Sequence, residues 1–286
     1  MKAHLECIPC FISQSLESAR IATDDEKIQT KVIKEVMKYL QNISFLESPP
    51  EISREVHQII RKVTKSEDPY KKVKDKSNEL AKKEYNHLKK LVKESDDPLL
   101  MSIKLSIVGN VIDFGTMNRF NIDDMIEVAI KKEFDKSSYY KFIKTLEKSK
   151  TILFLADNSG EIFFDKLLLE ELYNIGKKIF YVVKSNPIIN DATLKDAKYA
   201  DIDKLATIII GDEGYKISAP GIIMKYSSKD LLRLFKSSDM LISKGQGNYE
   251  GLSSEDREIF FMLVAKCPLV AKDINAKVGD LVLKTK

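Results

Sequence analysis

The residues most able to do chemistry lie between 155 and 162, where the sequence reads Leu-Ala-Asp-Asn-Ser-Gly-Glu-Ile. The apolar run at 151–156 predicts a strand before them, and the helical spacing of apolar residues at 163–172 predicts a helix after them. The oxygens of Asp157 and Asn158 therefore stand at a strand-to-helix turn. In an open α/β sheet this edge binds ligands, and the free N–H groups of the next helix attract anions.

Oxygen ligands of this kind suit a hard divalent ion such as Mg²⁺ or Mn²⁺ better than a soft metal. The same residues allow a simpler interpretation, in which Asp157 or Ser159 only caps the helix. A second junction has the same form: the strand predicted at 178–183 is followed by a turn at 184–193 that contains Asp191. Asp191 is either a second carboxylate for the same metal or another helix cap.

A third predicted strand, at 240–243, runs into Lys-Gly-Gln-Gly-Asn-Tyr-Glu at residues 244–250. Glycines let a ligand approach the backbone closely, and the ammonium group of Lys244 beside exposed N–H groups suits a phosphoryl group. Alone, this motif is more typical of a glycine turn. Three such junctions in one sheet favour a shared site for a metal and a phosphate.

Cys7 and Cys10 form a Cys-x-x-Cys pair, and Cys267 is the third cysteine. Three cysteines exclude a full disulfide framework, and no strand precedes the pair as a thioredoxin-like motif would need. The spacing fits a metal hairpin, a redox pair or two buried helix positions. The role of Cys7 and Cys10 therefore stays open.

The elements that must position these motifs change character near residue 150. The first half has helical periodicity, with Asp24, Ser48 and Asp97 as caps or residues just before them. Its predicted helices are 9–22, 25–42, 50–63, 68–94, 98–114 and 122–134. In the second half apolar runs alternate with helices, and the predicted strands are 151–156, 178–183, 206–210, 240–243 and either 269–271 or 281–283.

This order predicts an N-terminal helical bundle domain over residues 1–149 and an α/β domain over residues 150–286. Alternating strands and helices predict a Rossmann-like three-layer α/β/α sandwich with a mainly parallel sheet. The segment 211–223, which contains Gly214, Pro220 and Gly221, is predicted to be a long loop that faces the site.

The composition is that of a globular enzyme. The 286 residues are 43% hydrophobic and 31% charged, which allows a substantial core. The 47 basic and 43 acidic residues leave a net charge of +4 spread along the chain, so we expect no nucleic-acid partner. The sequence has no apolar leader and no apolar run of about 18 residues, so we expect no membrane partner and a cytoplasmic location. It predicts neither the oligomeric state nor the particular substrate.

Taken together and in this order, the motifs resemble the DUF89 family of damage-control phosphatases, in the subfamily I form common in archaea. The resemblance covers nearly the whole chain. The motifs that carry it are Cys7-Ile8-Pro9-Cys10, Gly109-Asn110-Val111-Ile112-Asp113, Asp157-Asn158-Ser159-Gly160-Glu161, Asn186-Pro187 with Asp191, and Lys244-Gly245-Gln246-Gly247-Asn248-Tyr249-Glu250.

The resemblance implies a metal-dependent phosphatase that hydrolyses phosphomonoesters of small metabolites, such as damaged or surplus sugar phosphates, nucleotides or related esters. It implies that Asp157, Asn158 and Asp191 hold the metal, which is Mn²⁺ or Ni²⁺ or, alternatively, Co²⁺ or Mg²⁺. It also implies that Lys244 contacts phosphate. Asn110 and Asp113 are further candidates for the site, although helix termination at residues 109 and 110 explains the same pattern equally well.

The mechanism that these assignments predict is hydrolysis by a metal-activated water. Lys244 and backbone N–H groups are expected to neutralise the phosphoryl oxygens. An aspartyl-phosphate route through Asp157 is disfavoured, because it usually needs a second aspartate two positions later, where Ser159 stands. The expected substrate contacts are Gly160, Lys244, Gly245, Gly247, Asn248, Glu250, Asn110 and Asp113, and the candidates that orient water or protonate the leaving alcohol are Glu161, Glu250 and Asp113.

Two functions of other classes remain open at this stage. One is a Rossmann-like nucleotide-binding or methyl-transfer domain, although the first strand is not followed by Gly-x-Gly-x-x-Gly. The other is a non-catalytic scaffold in which Cys7 and Cys10 bind a metal. Chelation separates the first from a phosphatase, because a cofactor-binding domain would not depend on a divalent ion.

Overall fold

The computed structural model describes residues 1–110, 126–127, 135–214 and 217–286. The helices before the sheet are α1 (Cys7–Ala22), α2 (Glu26–Leu40), α3 (Pro49–Thr64), α4 (Lys71–Glu94), α5 (Pro98–Val108) and α6 (Lys136–Lys148). No helix in the described ranges is both long and apolar enough to span a bilayer.

Local side-chain bonds explain where these helices begin. The carboxylate of Asp25 accepts hydrogen bonds from two backbone N–H groups of the first turn of α2, so Asp24 is the residue just before the cap, one of the two positions predicted for it. Ser48 begins α3, and its N–H donates to Glu51 at 2.7 Å in a capping box. Asp97 accepts from Leu100 N at 2.9 Å and caps α5. The predicted caps at Ser48 and Asp97 are confirmed.

The second half forms a six-stranded sheet in the order β3-β2-β1-β4-β5-β6. Neighbouring strands run parallel except β6, which is antiparallel to β5. The strands are β1 (Thr151–Leu155), β2 (Lys178–Val183), β3 (Thr207–Ile210), β4 (Met240–Lys244), β5 (Phe260–Val264) and β6 (Leu281–Thr285). The helices that accompany them are α7 (Glu161–Asn174), α8 (Leu194–Tyr199), α9 (Lys229–Ser237), α10 (Gln246–Leu252) and α11 (Pro268–Asp273).

The strand order places the ligand edge of the sheet. The chain proceeds outward from β1 through β2 to β3, and then returns to add β4 on the other side of β1. The carboxyl ends of β1 and β4 are adjacent, with Leu155 paired to Ser243. This is the switch point of a doubly wound sheet, where such folds bind ligands.

Side chains alternate between the two faces of the sheet and enter two apolar cores. Ile152 and Phe154 of β1 pack in the core that α4, α5, α6 and α7 cover. Leu153 and Leu155 pack in the core that α9, α10 and α11 cover. The predicted three-layer α/β/α sandwich with a mainly parallel sheet is therefore confirmed.

The helical half does not share a single core. Helices α1, α2 and α3 pack around their own cluster, which includes Phe11, Val36 and Ile52. Helices α4, α5 and α6 instead contribute Leu88, Ile103 and other residues to the core on the sheet. The division predicted at residues 149 and 150 stays a prediction, and apolar packing crosses it.

The structure differs from the sequence prediction in three elements. Residues 269–271, one of two alternatives for the last strand, lie in α11, because Pro268 begins a helix and Cys267 Sγ accepts from Val270 N at 3.4 Å as its cap. Residues 281–283 lie in β6. Strand β5 and helix α6 were not predicted. The prediction at 122–134 falls almost entirely outside the described residues, and Asp113 lies outside them.

Candidate functional site

The first site loop joins β1 to α7 and carries Asp157 and Asn158. It is hydrogen-bonded along its length to the loop between β2 and α8. Ala192 N donates to Asp157 O at 2.8 Å, and Ser159 N donates to Asn190 O at 2.8 Å. The loop ends at Gly160, whose φ of 76° lies in the left-handed region. The two loops that carry the predicted metal ligands thus form one hydrogen-bonded unit.

The second loop brings Asp191 to the same place. Asn158 and Asp191 form an isolated antiparallel β-bridge, so the three predicted ligands come from two directly paired backbone segments. Asp191 is buried, and its Oδ2 lies 3.6 Å from Lys184 Nζ, an ion pair too long for a hydrogen bond. Lys184 instead donates to Gly221 O at 2.8 Å.

Amide groups hold the carboxylate of Asp157 from two sides. Asn110 Nδ2 donates to Asp157 Oδ2 at 2.6 Å, and Asn158 Nδ2 donates to the same oxygen at 2.8 Å. Both amides also donate to Glu161 Oε2 at 2.9 Å. The prediction that Asn110 approaches the ligand edge is therefore matched by its contact with Asp157, and α5 ends beside it.

Lys244 is buried behind the hydrogen-bonded group of Asp157, Asn110, Asn158 and Glu161 rather than in front of it. Its Nζ donates to Glu161 Oε1 at 2.5 Å, to Asp165 Oδ1 at 2.6 Å and to Ser106 O at 2.8 Å. A lysine has three protons to donate, so these bonds use all of them. The side chain is fully buried, and the two carboxylates raise its pKa against the opposing effect of burial. A phosphate contact by Lys244 stays a prediction, and it would require one of these bonds to break.

The carboxylates at the loop junction are held in conditions that disfavour their charge. Removal from water raises the pKa of Asp157, and the nearby Glu161 carboxylate raises it further. Removal from water also raises the pKa of Asp191; Lys184 opposes that rise, whereas Asp157 adds to it. Two carboxylates that each need a compensating positive charge are a fit for a divalent cation.

Unsatisfied polar atoms support that fit. Asp191 Oδ2, Asn110 Oδ1 and Ser159 Oγ are buried and have no hydrogen-bond partner within the described part of the chain. Buried polar atoms are nearly always bonded, so such a group of atoms calls for an explanation. No cluster of three or more histidine, cysteine or acidic side chains with metal-holding geometry occurs in the described ranges. The set that fits the metal is two carboxylates with one amide, Asp157, Asp191 and Asn158.

A cavity of about 500 Å³ opens in front of these ligands. Asp157, Asn158 and Asp191 line one side of it. The helical half contributes Phe11 and the start of α3, and the sheet half contributes Pro220 and the start of α11. The volume lies within the range of small-molecule sites.

The cavity is also lined by titratable groups, which include two lysines that were not predicted and the predicted Glu250. Lys266 and Lys272 line it, and the charge of Lys266 lowers the pKa of Asp157. Glu250 lines it as well, and burial raises the pKa of this carboxyl to about 7. All three cysteines line the cavity, and Cys10 is exposed.

The other residues predicted to contact substrate differ in whether they line the cavity or are already bonded within the protein. Gly247 lines the cavity. Gly160 N donates to Asn78 Oδ1 at 2.7 Å and Gly245 N donates to Met262 O at 3.0 Å, so these two N–H groups already have partners. Asn248 is fully buried, and its side chain holds three backbone segments through Ile222 N, Ala156 O and Lys244 O. Direct substrate contacts by these residues stay predictions.

Four residues near the site were missed from the sequence. Asp165 follows Glu161 by four positions on α7, a helical spacing that puts both acids on one face and could have revealed it. Lys184 follows the apolar part of its strand, as Lys244 does. Lys266 follows β5, which was not predicted. Nothing in the sequence indicated Asn78, because its partners lie far away along the chain.

A doubly wound sheet with polar loops at the carboxyl ends of its strands defines the class of open α/β proteins that bind ligands at this edge. Residues 3–282 match the model of the damage-control phosphatase ARMT1-like domain. The chain therefore belongs to this family, which confirms the resemblance to DUF89 proteins.

Individual relatives agree with the family match. The chain is 38% identical to the uncharacterized protein MJ0202 of Methanocaldococcus jannaschii, over 99% of this chain and 95% of that protein. It is 34% identical to a damage-control phosphatase of Archaeoglobus fulgidus, over 99% of both chains. It is 32% identical to the damage-control phosphatase PH1575 of Pyrococcus horikoshii, over 99% of this chain and 97% of that protein. The crystal structure of that DUF89 protein superposes with a TM-score of 0.90, covering 99% of this chain and 98% of the other. The family match and the two relatives named damage-control phosphatases support a phosphatase role.

Proposed function

We propose that this protein is a metal-dependent phosphatase that hydrolyses phosphomonoesters of small metabolites. The observation that carries the proposal is the pairing of the Asp157 and Asp191 loops at the wall of one cavity. Both carboxyl groups have raised pKa values, and Asp191 Oδ2 has no hydrogen-bond partner within the described residues. Asp157, Asp191 and the amide oxygen of Asn158 would hold the ion, with Mn²⁺ or Ni²⁺ as the first candidates and Co²⁺ or Mg²⁺ as alternatives.

The chemistry that a divalent ion supplies when bound is neutralisation of phosphoryl charge and acidification of water. Asn110 and Glu161 orient the ligands: Asn110 Nδ2 contacts Asp157 Oδ2 at 2.6 Å and Glu161 Oε2 at 2.9 Å. Lys244 Nζ holds Glu161 in place through the ion pair with Oε1 at 2.5 Å. We therefore propose that Lys244 holds the carboxylates of Glu161 and Asp165 in position.

We assign the phosphate contact to Lys266, the cavity lysine that acts on Asp157. Its side chain is exposed to the cavity, whereas all three protons of Lys244 are donated inside the protein. An ammonium group in this position would attract the dianionic end of a phosphate monoester. The cavity of about 500 Å³ suits a small metabolite rather than a polymer.

Glu250 is the candidate general acid, which would donate a proton to the leaving alcohol. Burial raises its pKa to about 7, so a useful fraction of this carboxyl is protonated at neutral pH. Gln246 Nε2 donates to Glu250 Oε1 at 2.9 Å and fixes the side chain on α10.

The decisive experiment measures phosphate release from a panel of sugar phosphates, nucleotides and phosphopantetheine-like esters. The protein is first treated with EDTA and dialysed, and each divalent ion is then added separately. We expect no turnover after chelation and recovery with Mn²⁺ or Ni²⁺. An Asp157→Asn variant is the matched control, because it keeps the shape of the side chain and removes the charge. Turnover that persists without any ion, or in the Asp157→Asn variant, would contradict the proposal.

A further inference from the structure

Asn78 of helix α4 bonds to the end of one loop that carries predicted metal ligands and to the first turn of the helix that follows the other loop. Its Oδ1 accepts the backbone N–H of Gly160 at 2.7 Å. Its Nδ2 donates to Asp196 Oδ1 at 2.7 Å, across 118 positions of sequence. The side chain is 3% exposed, so both bonds are made away from water.

Each partner lies where one of the two loops meets the helix that follows it. Gly160 ends the turn that carries Asp157 and Asn158, and it begins α7 with a φ of 76°. Asp196 fastens the end of the loop that carries Asp191, because its Oδ2 accepts from Thr193 N at 2.8 Å and from Thr193 Oγ1 at 2.6 Å. One amide group thus connects the end of the first loop to the cap that follows the second.

The two bonds require an amide. Gly160 offers a donor, and Asp196 offers an acceptor that is already part of a capping box. An amide side chain presents one acceptor and two donors, whereas a carboxylate presents acceptors only and an aliphatic side chain neither. Replacement of Asn78 therefore removes the bond that the buried Gly160 N–H makes to it and the bond that Asp196 Oδ1 accepts from it, while Asp196 Oδ2 keeps its bonds from Thr193.

We propose that Asn78 is a positioning residue for the metal ligands, which holds the end of the Asp157 loop and the helix cap after the Asp191 loop against α4. This inference rests on the proposed function, since it assumes that the two loops bind one divalent ion. Residues outside the ligand set that orient ligands typically change metal affinity or activity by about 10- to 100-fold when they are replaced. A residue of the helical half therefore controls the sheet-edge site without reaching the cavity.

The first test compares Asn78→Leu with Ser77→Ala. Ser77 is the neighbouring buried residue on α4, and its Oγ donates only to Val73 O at 2.9 Å within the same helix. Mn²⁺ affinity is measured by titration calorimetry on chelated protein, and kcat and KM are measured with p-nitrophenyl phosphate. We expect Asn78→Leu to weaken Mn²⁺ binding by about 10- to 100-fold, to lower kcat at saturating Mn²⁺ and to change KM by less than about twofold. Ser77→Ala is expected to match the wild type.

The second test exchanges the two polar groups and does not depend on whether Asn78→Leu folds. Asn78→Asp keeps the acceptor for Gly160 N–H but sets a carboxylate against Asp196, so we expect Mn²⁺ affinity to fall. Adding Asp196→Asn restores a donor between the two positions and leaves an amide oxygen to cap Thr193. The double variant should therefore recover most of the lost affinity.

The outcomes separate the inference from the proposed function. Wild-type protein that binds none of Mn²⁺, Ni²⁺, Co²⁺ and Mg²⁺ ends both, and if another of these ions binds in place of Mn²⁺, the same variants are titrated with that ion. Wild-type protein that binds Mn²⁺ without hydrolysing any ester ends the proposed function alone, and the affinities of the variants still decide the role of Asn78. The inference is overturned if Asn78→Leu retains wild-type affinity, if Ser77→Ala loses as much, or if the double variant is no better than Asn78→Asp.

Discussion

Gly245 lies so close to Asp157 that a Cβ at position 245 would overlap the carboxylate. Its φ of 79° is also in the left-handed region. The glycine after β4 is therefore required by its own backbone and by a side chain from β1. Since Asn110 and Asn158 hold the same carboxylate from other sides, the position of Asp157 is determined by three separate segments.

Gly245→Ala should displace Asp157 and lower turnover by about 100-fold, the loss expected from a misplacement of about 1 Å in an active site. Gly176→Ala is the matched control: Gly176 has a φ of 78°, and nothing lies within 4 Å of a Cβ built there. Both variants place a Cβ at a positive φ, and only Gly245→Ala carries the overlap. Steady-state kinetics and Mn²⁺ titration of the two proteins test this. Equal losses in both would show that backbone strain alone matters.

Asp157→Asn should remove Mn²⁺-dependent turnover and make the metal-free protein more stable. Removal from water and the Glu161 carboxylate raise the pKa of Asp157 in the folded state, so this group lowers the stability as the pH rises from the unfolded-state pKa through the folded-state pKa. We expect the melting temperature in EDTA at pH 8 to rise by about 2–4 °C, which corresponds to roughly 1 kcal/mol. At pH 4 the gain should disappear, because the wild-type carboxyl is then neutral.

The control for that measurement is Asp165→Asn. Asp165 is buried like the site carboxylates, but its Oδ1 lies 2.6 Å from Lys244 Nζ. Its loss should lower the melting temperature, since it removes the partner of a buried charge. A fall in both variants would mean that Asp157 contributes to folding rather than opposing it.

Replacement of Lys244 by methionine should lower the stability of the protein, whereas replacement of Lys266 should affect only substrate binding. Lys244→Met leaves the buried carboxylates of Glu161 and Asp165 without their cation, so we expect the protein to lose about 3–5 kcal/mol of stability. Lys266→Met removes an exposed cavity charge, so we expect an unchanged melting temperature and a raised KM for phosphate esters. Thermal unfolding and kinetics on both proteins distinguish the two roles. A Lys244→Met protein of wild-type stability would contradict the positioning role and would again make Lys244 the candidate for the phosphate contact.

The ligand edge could be predicted because the chemistry follows the strands directly in the sequence. Asp157 and Asp191 come soon after apolar runs of β1 and β2, and parallel strands bring their carboxyl ends to one edge. The apolar run of β5 carried the same signal and was missed, since periodicity does not distinguish a short buried strand from a buried helix segment. Lys266 was missed with it.

The layer behind the ligands could not be predicted, because its contacts join distant segments. Nothing near Lys244 in the sequence indicates that Asp165 and Ser106 O are its partners. The bond from Asn78 to Asp196 crosses from the helical half to the sheet half in the same way. Local patterns name the residue types that a site needs, whereas burial and tertiary contacts decide which of them face the ligand.

His57 should make the protein sensitive to mild acid, independently of the site. It is 4% exposed on α3, and its Nε2 has no hydrogen-bond partner within the described residues. Burial, with a smaller effect of Arg61, lowers the pKa of His57 to about 4. Because the folded-state pKa lies below the unfolded value, the stability contribution is complete above about pH 6.5 and is lost as the pH falls towards 4. Wild-type protein should lose up to about 3 kcal/mol relative to His57→Leu across this window.

The exposed His87 provides the control, since His87→Leu should follow the wild type. Melting temperatures of the three proteins between pH 7.5 and 4.5 test the prediction, and parallel curves for wild type and His57→Leu would contradict it.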